Sequence, residues 1–160
     1  MISFKSHSGI HTLYSEQEIP ISLKNTWDYF SSPKNLAEIT PPEMGFVITS
    51  QNEEKAYEGQ IISYNVGILP GIRISWVTEI TKVKDQHYFV DEQRFGPYSM
   101  WHHEHFFEAL PNGNTLMKDK ISYKIPLGFL GQIMNSILIK KQLNQIFSYR
   151  TEKLKTTFPL

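Results

Sequence analysis

Apolar and polar residues alternate with a period of two along most of the middle of the chain. A strand with one buried face produces this pattern, because successive side chains point to opposite sides of a sheet. It predicts strands at 12–21 (TLYSEQEIPI), 45–50 (GFVITS), 59–68 (GQIISYNVGI), 72–83 (IRISWVTEITKV), 87–95 (HYFVDEQRF), 99–110 (SMWHHEHFFEAL) and 115–125 (TLMKDKISYKI). Turn formers separate them: Pro70-Gly71, Gly96-Pro97 and Pro111-Asn112-Gly113-Asn114. Gly67 and Gly71, flanking ILP, read as turn glycines. A meander of antiparallel strands is the simplest arrangement.

Two interruptions have a different rhythm. After Ser22, a plausible N-cap, the segment LKNTWDYFSS carries Leu23, Trp27 and Phe30 on one side and predicts a short helix. Pro33 opens a second short helix, KNLAEIT, which Pro41-Pro42 ends because neither residue has an amide hydrogen to continue it. The final segment, LGQIMNSILIKKQLNQIFSYRTEKLKTTF, has no breaker after Gly131 and spaces Ile133, Ile137, Leu143, Phe147 and Leu154 in a helical rhythm. Gly128 and Gly131 mark where it starts. About 25 helical residues reach roughly 38 Å, enough to cross a whole sheet face. A sheet curled around such a helix leaves an enclosed space between the two.

Composition narrows the classes of function. With 160 residues and 40% hydrophobic content, one domain spanning 1–160 is expected. Sixteen basic residues balance sixteen acidic ones, which disfavours a nucleic-acid partner. The chain has no cysteine, so disulfides, thiolate catalysis and cysteine-ligated metals are excluded. No secretory-type apolar core opens the sequence and no run of about 18 apolar residues occurs, which points to a cytoplasmic protein without stable membrane insertion. Neither G-x-S-x-G nor G-x-x-x-x-G-K is present, and no cofactor is expected.

The order of elements, with the words IPISLKNTWDYFSSPKNLAEITPPEMGF, FVDEQRFGPYSMWHHEHFFE and MKDKISYKIPLGFLG, resembles the START-like (SRPBCC) superfamily. Its members include the birch pollen allergen and polyketide cyclase/dehydrase families. The resemblance covers nearly the whole chain. It implies an α+β helix-grip fold: a curved antiparallel sheet wrapped around a long C-terminal helix, with two short helices between the first two strands. It also implies a cavity for a lipid, sterol, polyketide or similar apolar molecule, with cyclisation or dehydration catalysed there in a minority of members.

Alternation sorts the conspicuous WHHEHFF segment by face. Trp101, His103, His105 and Phe107 share one face, while Met100, His102, Glu104, Phe106 and Glu108 share the other. Phe89, Asp91, Gln93 and Phe95 on the strand before, and Met117, Asp119, Ile121, Tyr123 and Ile125 on the strand after, mix apolar bulk with one or two polar groups. Their companion sets, Val90, Glu92, Arg94 and Lys118, Lys120, Ser122, Lys124, are largely charged, as a solvated face should be. The first sets therefore turn inward, and Trp76, Thr78, Ile80 and Ile62, Tyr64, Val66 continue the lining. The candidate ligand-binding residues are Tyr64, Trp76, Asp91, Gln93, Trp101, His103, His105, Phe107, Asp119 and Tyr123.

A buried carboxylate costs several kcal/mol unless paired, so Asp91 and Asp119 need partners, and His103 and His105 are the donors at hand. Such a cluster has several uses. It can orient a ligand's head group, form a self-satisfied structural network, or act as general base and acid in a cyclase or dehydratase, with His103, His105, Asp91 and Asp119 as the catalytic candidates. A metal site is geometrically permissible because two imidazoles share a face with a carboxylate nearby, but no further histidine is predicted on that face and no metal is expected. His7, His11 and His87 read as surface or strand-edge residues, and Trp27 and Phe30 as core anchors rather than ligand contacts. Lys140, Lys141, Lys153 and Lys155 read as a solvated helix face, with an anionic membrane surface as the alternative.

Overall fold

The computed structural model describes residues 1–50, 55–69 and 72–159. Strands β1 (Ile2–His7) and β2 (Ile10–Ile19) form a hairpin, followed by helix α1 (Leu23–Phe30) and two 3-10 turns (Pro33–Leu36 and Pro42–Met44). The chain continues through β3 (Val47–Ile48), β4 (Ile61–Leu69), β5 (Ile72–Lys84), β6 (Tyr88–Phe95), β7 (Met100–Ala109) and β8 (Thr115–Lys124). Helix α2 (Gly128–Met134), a π turn (Asn135–Ile139) and helix α3 (Lys140–Thr157) complete it. The strands form one antiparallel sheet in the order β1-β2-β8-β7-β6-β5-β4-β3. This is the helix-grip architecture, with the long C-terminal helix lying on the concave face of the curved sheet.

Local chemistry accounts for the punctuation. Ser22 caps α1, its Oγ accepting from the Asn25 amide at 3.4 Å, and Pro33 stands in the first turn of the 3-10 helix where its missing N–H costs nothing. Gly128 begins α2 with a positive φ of 51°. At Gly131 a Cβ would lie 2.2 Å from the Pro126 carbonyl oxygen, so only glycine lets α2 approach the end of β8 so closely.

Two apolar clusters fill the space between sheet and helix. One joins Ile19, Trp27, Phe89, Phe107 and Met117 to Leu154; the other joins Leu13, Ile121 and Tyr123 to Leu143 and Phe147. Each fully buried Leu, Ile or Phe among them contributes about 1.5–3 kcal/mol. The convex face carries ion pairs instead, including Lys120–Glu104 at 2.7 Å and Lys118–Glu108 at 3.1 Å.

Several sequence expectations need correction. Strand β1 was not predicted: Ile2 and Phe4 are its only large apolar positions, too few for a clear alternation. Because β1 covers β2, His11 is buried (7% exposed) rather than at an edge, and the short helices follow the second strand of the sheet. The helical rhythm through Ile133 and Ile137 does not mark a buried face; both are exposed, since the π turn inserts a residue before the buried stripe of Leu143, Phe147, Arg150 and Leu154 begins. Phe95, expected inward, is 65% exposed. Between β5 and β6 the register shifts so that Thr78 faces Gln93 while Val77 faces Phe95, which puts Phe95 on the outer face. Val90, expected among solvated residues, is buried between its cross-strand neighbours Lys82 and Glu104. Gly67 is a strand residue beside a register shift, where a Cβ would come within 3.0 Å of the Met44 carbonyl oxygen. The expected turn at Pro70-Gly71 lies outside the described residues.

Candidate functional site

A cavity of about 190 Å³ lies between the concave face of β4–β8, helix α3 and the segment 29–46. Its apolar walls include Phe30, Leu36, Ile39, Ile62, Val66, Ile80, Phe89, Leu143 and Phe147. At one end an aromatic group closes in: Tyr64 stacks on Trp76 at 5.9 Å between centroids, and Trp76 meets Trp101 edge-on at 5.2 Å and Tyr98 at 5.6 Å. Burial raises the Tyr64 and Tyr98 hydroxyls, which therefore stay neutral, and the Tyr64 hydroxyl lies 3.3 Å from Thr78 Oγ1.

One wall is ionisable. The register sets Asp91 of β6 opposite His103 of β7, and His105 opposite Asp119 of β8, all turned to the concave face. The shortest bonds run diagonally: His103 Nε2 donates to Asp119 Oδ1 and His105 Nε2 to Asp91 Oδ2, each at 2.8 Å. The directly opposed pairs are looser, with His105 Nδ1 3.1 Å from Asp119 Oδ1 but poorly aligned for a hydrogen bond, and His103 Nδ1 3.6 Å from Asp91 Oδ2. The two imidazoles lie against each other with centroids 3.6 Å apart and their planes tilted by 33°. Each imidazole thus touches both carboxylates, and each carboxylate both imidazoles.

Arg150 of α3 joins this quartet from above. It lies on the buried stripe of the helix, with Nη1 3.6 Å from Asp119 Oδ1 and its guanidinium 4.7 Å from the Phe147 ring centre. Sequence reasoning passed over it as an ordinary charge. The available signal was its spacing: Leu143, Phe147, Arg150 and Leu154 recur at helical intervals, so a cation sits where an apolar residue belongs.

These neighbours shift the groups in different directions. Burial opposes the charge on Asp91 and Asp119, but the two histidines and Arg150 outweigh it and hold both carboxyls below the ordinary range. Burial and the adjacent His105 lower His103. Burial also opposes the charge on His105, yet Asp119 and Asp91 together hold its proton and raise it. These directions keep both carboxyls ionised and favour His105 over His103 as the holder of the shared proton.

The remaining sequence candidates divide by position. Tyr64, Trp76, Asp91, Trp101, His103 and His105 line the cavity. Phe30, expected only as a core anchor, lines it too, while Trp27 is packed edge-on against Phe89 and Phe107. Asp119 stands behind the histidines and Phe107 belongs to the apolar cluster under Trp27, neither reaching the cavity wall. Gln93 also lies off the cavity; its amide donates to the Tyr98 carbonyl at 2.7 Å and accepts from the Tyr98 amide at 3.2 Å, fixing the loop that carries Tyr98. Tyr123 is buried with its hydroxyl donating to Asn135 Oδ1 at 2.8 Å, and Asn135 in turn reaches His11 Nδ1 at 3.0 Å, with Ser6 Oγ 2.7 Å from the same nitrogen. Sequence reasoning missed this second buried network because β1 and the π turn that build it were not predicted.

Asp91, His103 and His105 each offer a donor atom within 4.8 Å of the others. A cation there would have to displace both 2.8 Å bonds beside the positive charge of Arg150, so the donor set suits an internal ion network better than a metal.

The fold is the helix-grip fold, and it is shared with a START superfamily protein of known structure. Solved structures share it over nearly their whole lengths. A START superfamily protein from Mycobacterium smegmatis is similar with a TM-score of 0.66 and 13% identity, covering 92% of this chain and 96% of that one. A protein from Arthrobacter aurescens reaches a TM-score of 0.71 at 13% identity over 96% and 91% of the two chains. Ara h 8.0201 is similar at a TM-score of 0.58 and 14% identity over 92% and 99%. No protein-family model and no curated protein matches the sequence. Among the described residues, no helix is long and apolar enough to cross a membrane.

Proposed function

We propose that this protein binds a small apolar molecule in the cavity between sheet and C-terminal helix, with the histidine–aspartate wall orienting the ligand's polar end. The observation that carries this reading is the contrast within one cavity: aliphatic and aromatic walls, with a buried ionisable patch containing Asp91, His103, His105 and Arg150. The likeness in fold to a START superfamily protein supports it. Volume limits the ligand. Drug-sized ligands occupy pockets of about 300–1,000 Å³, and a dry cavity of about 150 Å³ accepts benzene, so about 190 Å³ suits a single ring or a short acyl chain. A sterol or multi-ring polyketide would require the walls to open.

Native mass spectrometry of freshly purified protein tests the reading. We expect a retained small organic molecule, or an adduct with added single-ring and short-chain compounds that raises the melting temperature. Protein that gains neither adduct nor stability across such a panel would refute it.

A second reading, a cyclase or dehydratase, draws on the opposite shifts of the two cavity-lining imidazoles. His103, lowered, is the better suited of the two to act as base and His105, raised, to act as acid, the pair needed for enolisation or loss of water from a ketone-bearing substrate. Product formation from a short ketide analogue, abolished by His103→Phe and by His105→Phe, is the outcome that would favour catalysis over binding alone.

A further inference from the structure

The donors left over at the cavity's ionisable wall narrow the ligand's polar end further. Both carboxylates are already engaged by the histidines, Asp119 Oδ1 and Asp91 Oδ2 each accepting a 2.8 Å bond. Arg150 is not satisfied: it is 8% exposed, lines the cavity, and its Nε and Nη1 are buried without a hydrogen-bond partner. Its nearest carboxylate oxygen, on Asp119, is 3.6 Å away, an ion pair rather than a hydrogen bond. A second cavity-lining donor, Trp76 Nε1, is also buried without a partner. Guanidinium and indole N–H groups can only donate, so the vacant positions call for acceptors on the ligand. Leaving such groups unpaired is costly in a dry interior, most of all for a charged one.

Charge counting favours an acceptor that is itself charged. Arg150 and one imidazolium already balance Asp91 and Asp119, and the second imidazole is left as a site for one more proton, so the wall can neutralise one further negative charge when the ligand's proton is taken up there. We infer that the ligand is a small monocarboxylic acid, its hydrocarbon part in the apolar cavity and its carboxylate held by Arg150. The inference rests on the proposed binding role and specifies its ligand class. Arginine suits this task because its planar, permanently charged guanidinium bonds carboxylates with short charge-assisted hydrogen bonds.

Matched pairs test it: benzoate, 3-phenylpropanoate, hexanoate and octanoate against the corresponding primary alcohols, titrated calorimetrically into the intact protein at pH 7. The acids should bind at least about tenfold more tightly than their alcohols, and Arg150→Met should bring that ratio below about threefold. Alcohols binding as well as acids would overturn the carboxylate assignment while leaving the apolar cavity reading intact. A wild-type preference retained in Arg150→Met would remove Arg150 from the role. If no member of either series binds, the cavity reading falls with it. Should Arg150→Met fail to fold, the acid-to-alcohol ratio of the wild type decides the ligand class alone.

Discussion

At the scale of the residue, His103 and His105 make stability depend on pH in opposite senses. His105 is raised above its ordinary value of 6.5, because the pull of Asp119 and Asp91 outweighs burial. The folded state then holds the proton longer, so this contribution is full below pH 6.5 and is lost as pH rises through the folded value. His103 is lowered from 6.5 by burial and by His105, so the unfolded chain takes its proton first and stability is lost as pH falls from 6.5 toward the folded value. His11, lowered by burial and Lys140, acts in the same direction as His103. Asp91 and Asp119, lowered despite burial, contribute stability above their ordinary 3.8 that is lost on further acidification. Melting temperature against pH should therefore peak near 6.5, and His105→Phe should flatten the alkaline limb; a peak well above pH 8, or an unchanged limb in that variant, would contradict the assignment. His103→Phe removes the 2.8 Å donor to Asp119 and should cost on the order of 1–3 kcal/mol in chemical denaturation, because a buried acceptor is left unpaired. That these four groups face one way was legible in the sequence, since period-two alternation fixes the face of a strand residue. Arg150 shows itself only through its helical spacing with Leu143, Phe147 and Leu154, a weaker signal than its charge, which points to solvent.

At the scale of the element, irregular backbone decides what regular pattern cannot. The shift between Thr78 and Val77 turns Phe95 outward while leaving Gln93 to hold Tyr98 at the cavity, and no property of either side chain foretells where a strand gains a residue. The π turn is similar. It brings Asn135 (2% exposed) to both Tyr123 and His11 and separates the exposed Ile133 and Ile137 from the buried stripe of α3. Asn135→Ala should therefore cost about 1–3 kcal/mol, since it strips partners from two buried side chains at once; thermal unfolding unchanged from wild type would show that the π turn is held by other contacts. Gly131→Ala tests the start of α2. The new methyl group would meet the Pro126 carbonyl oxygen, which is backbone and cannot step aside, so a loss of about 1–3 kcal/mol is expected.

At the scale of the whole molecule, the order of strands and helices was legible because seven segments carry a clear alternation and the long helix carries none. The extra strand β1 was not, since an edge strand exposed on most of its length needs little apolar signal. The cavity was legible only as a space that must exist. Its volume depends on how α1, the 3-10 turns, α3 and five strands converge, and residues as distant in sequence as Phe30, Tyr64, His103 and Arg150 meet on its walls. The central claim, a small apolar ligand held in that space with its polar end at the ionisable wall, is tested most directly by nuclear magnetic resonance of the isotope-labelled protein titrated with 3-phenylpropanoate. The account predicts chemical-shift changes confined to the cavity, at Phe30, Tyr64, Trp76, Trp101 and Phe147, with contacts from the ligand ring to Ile62 or Ile80 and the largest side-chain N–H perturbation at the Arg150 guanidinium. Saturable changes confined to the convex face around His102, Glu104 and Lys120, with the cavity residues unmoved, would contradict it.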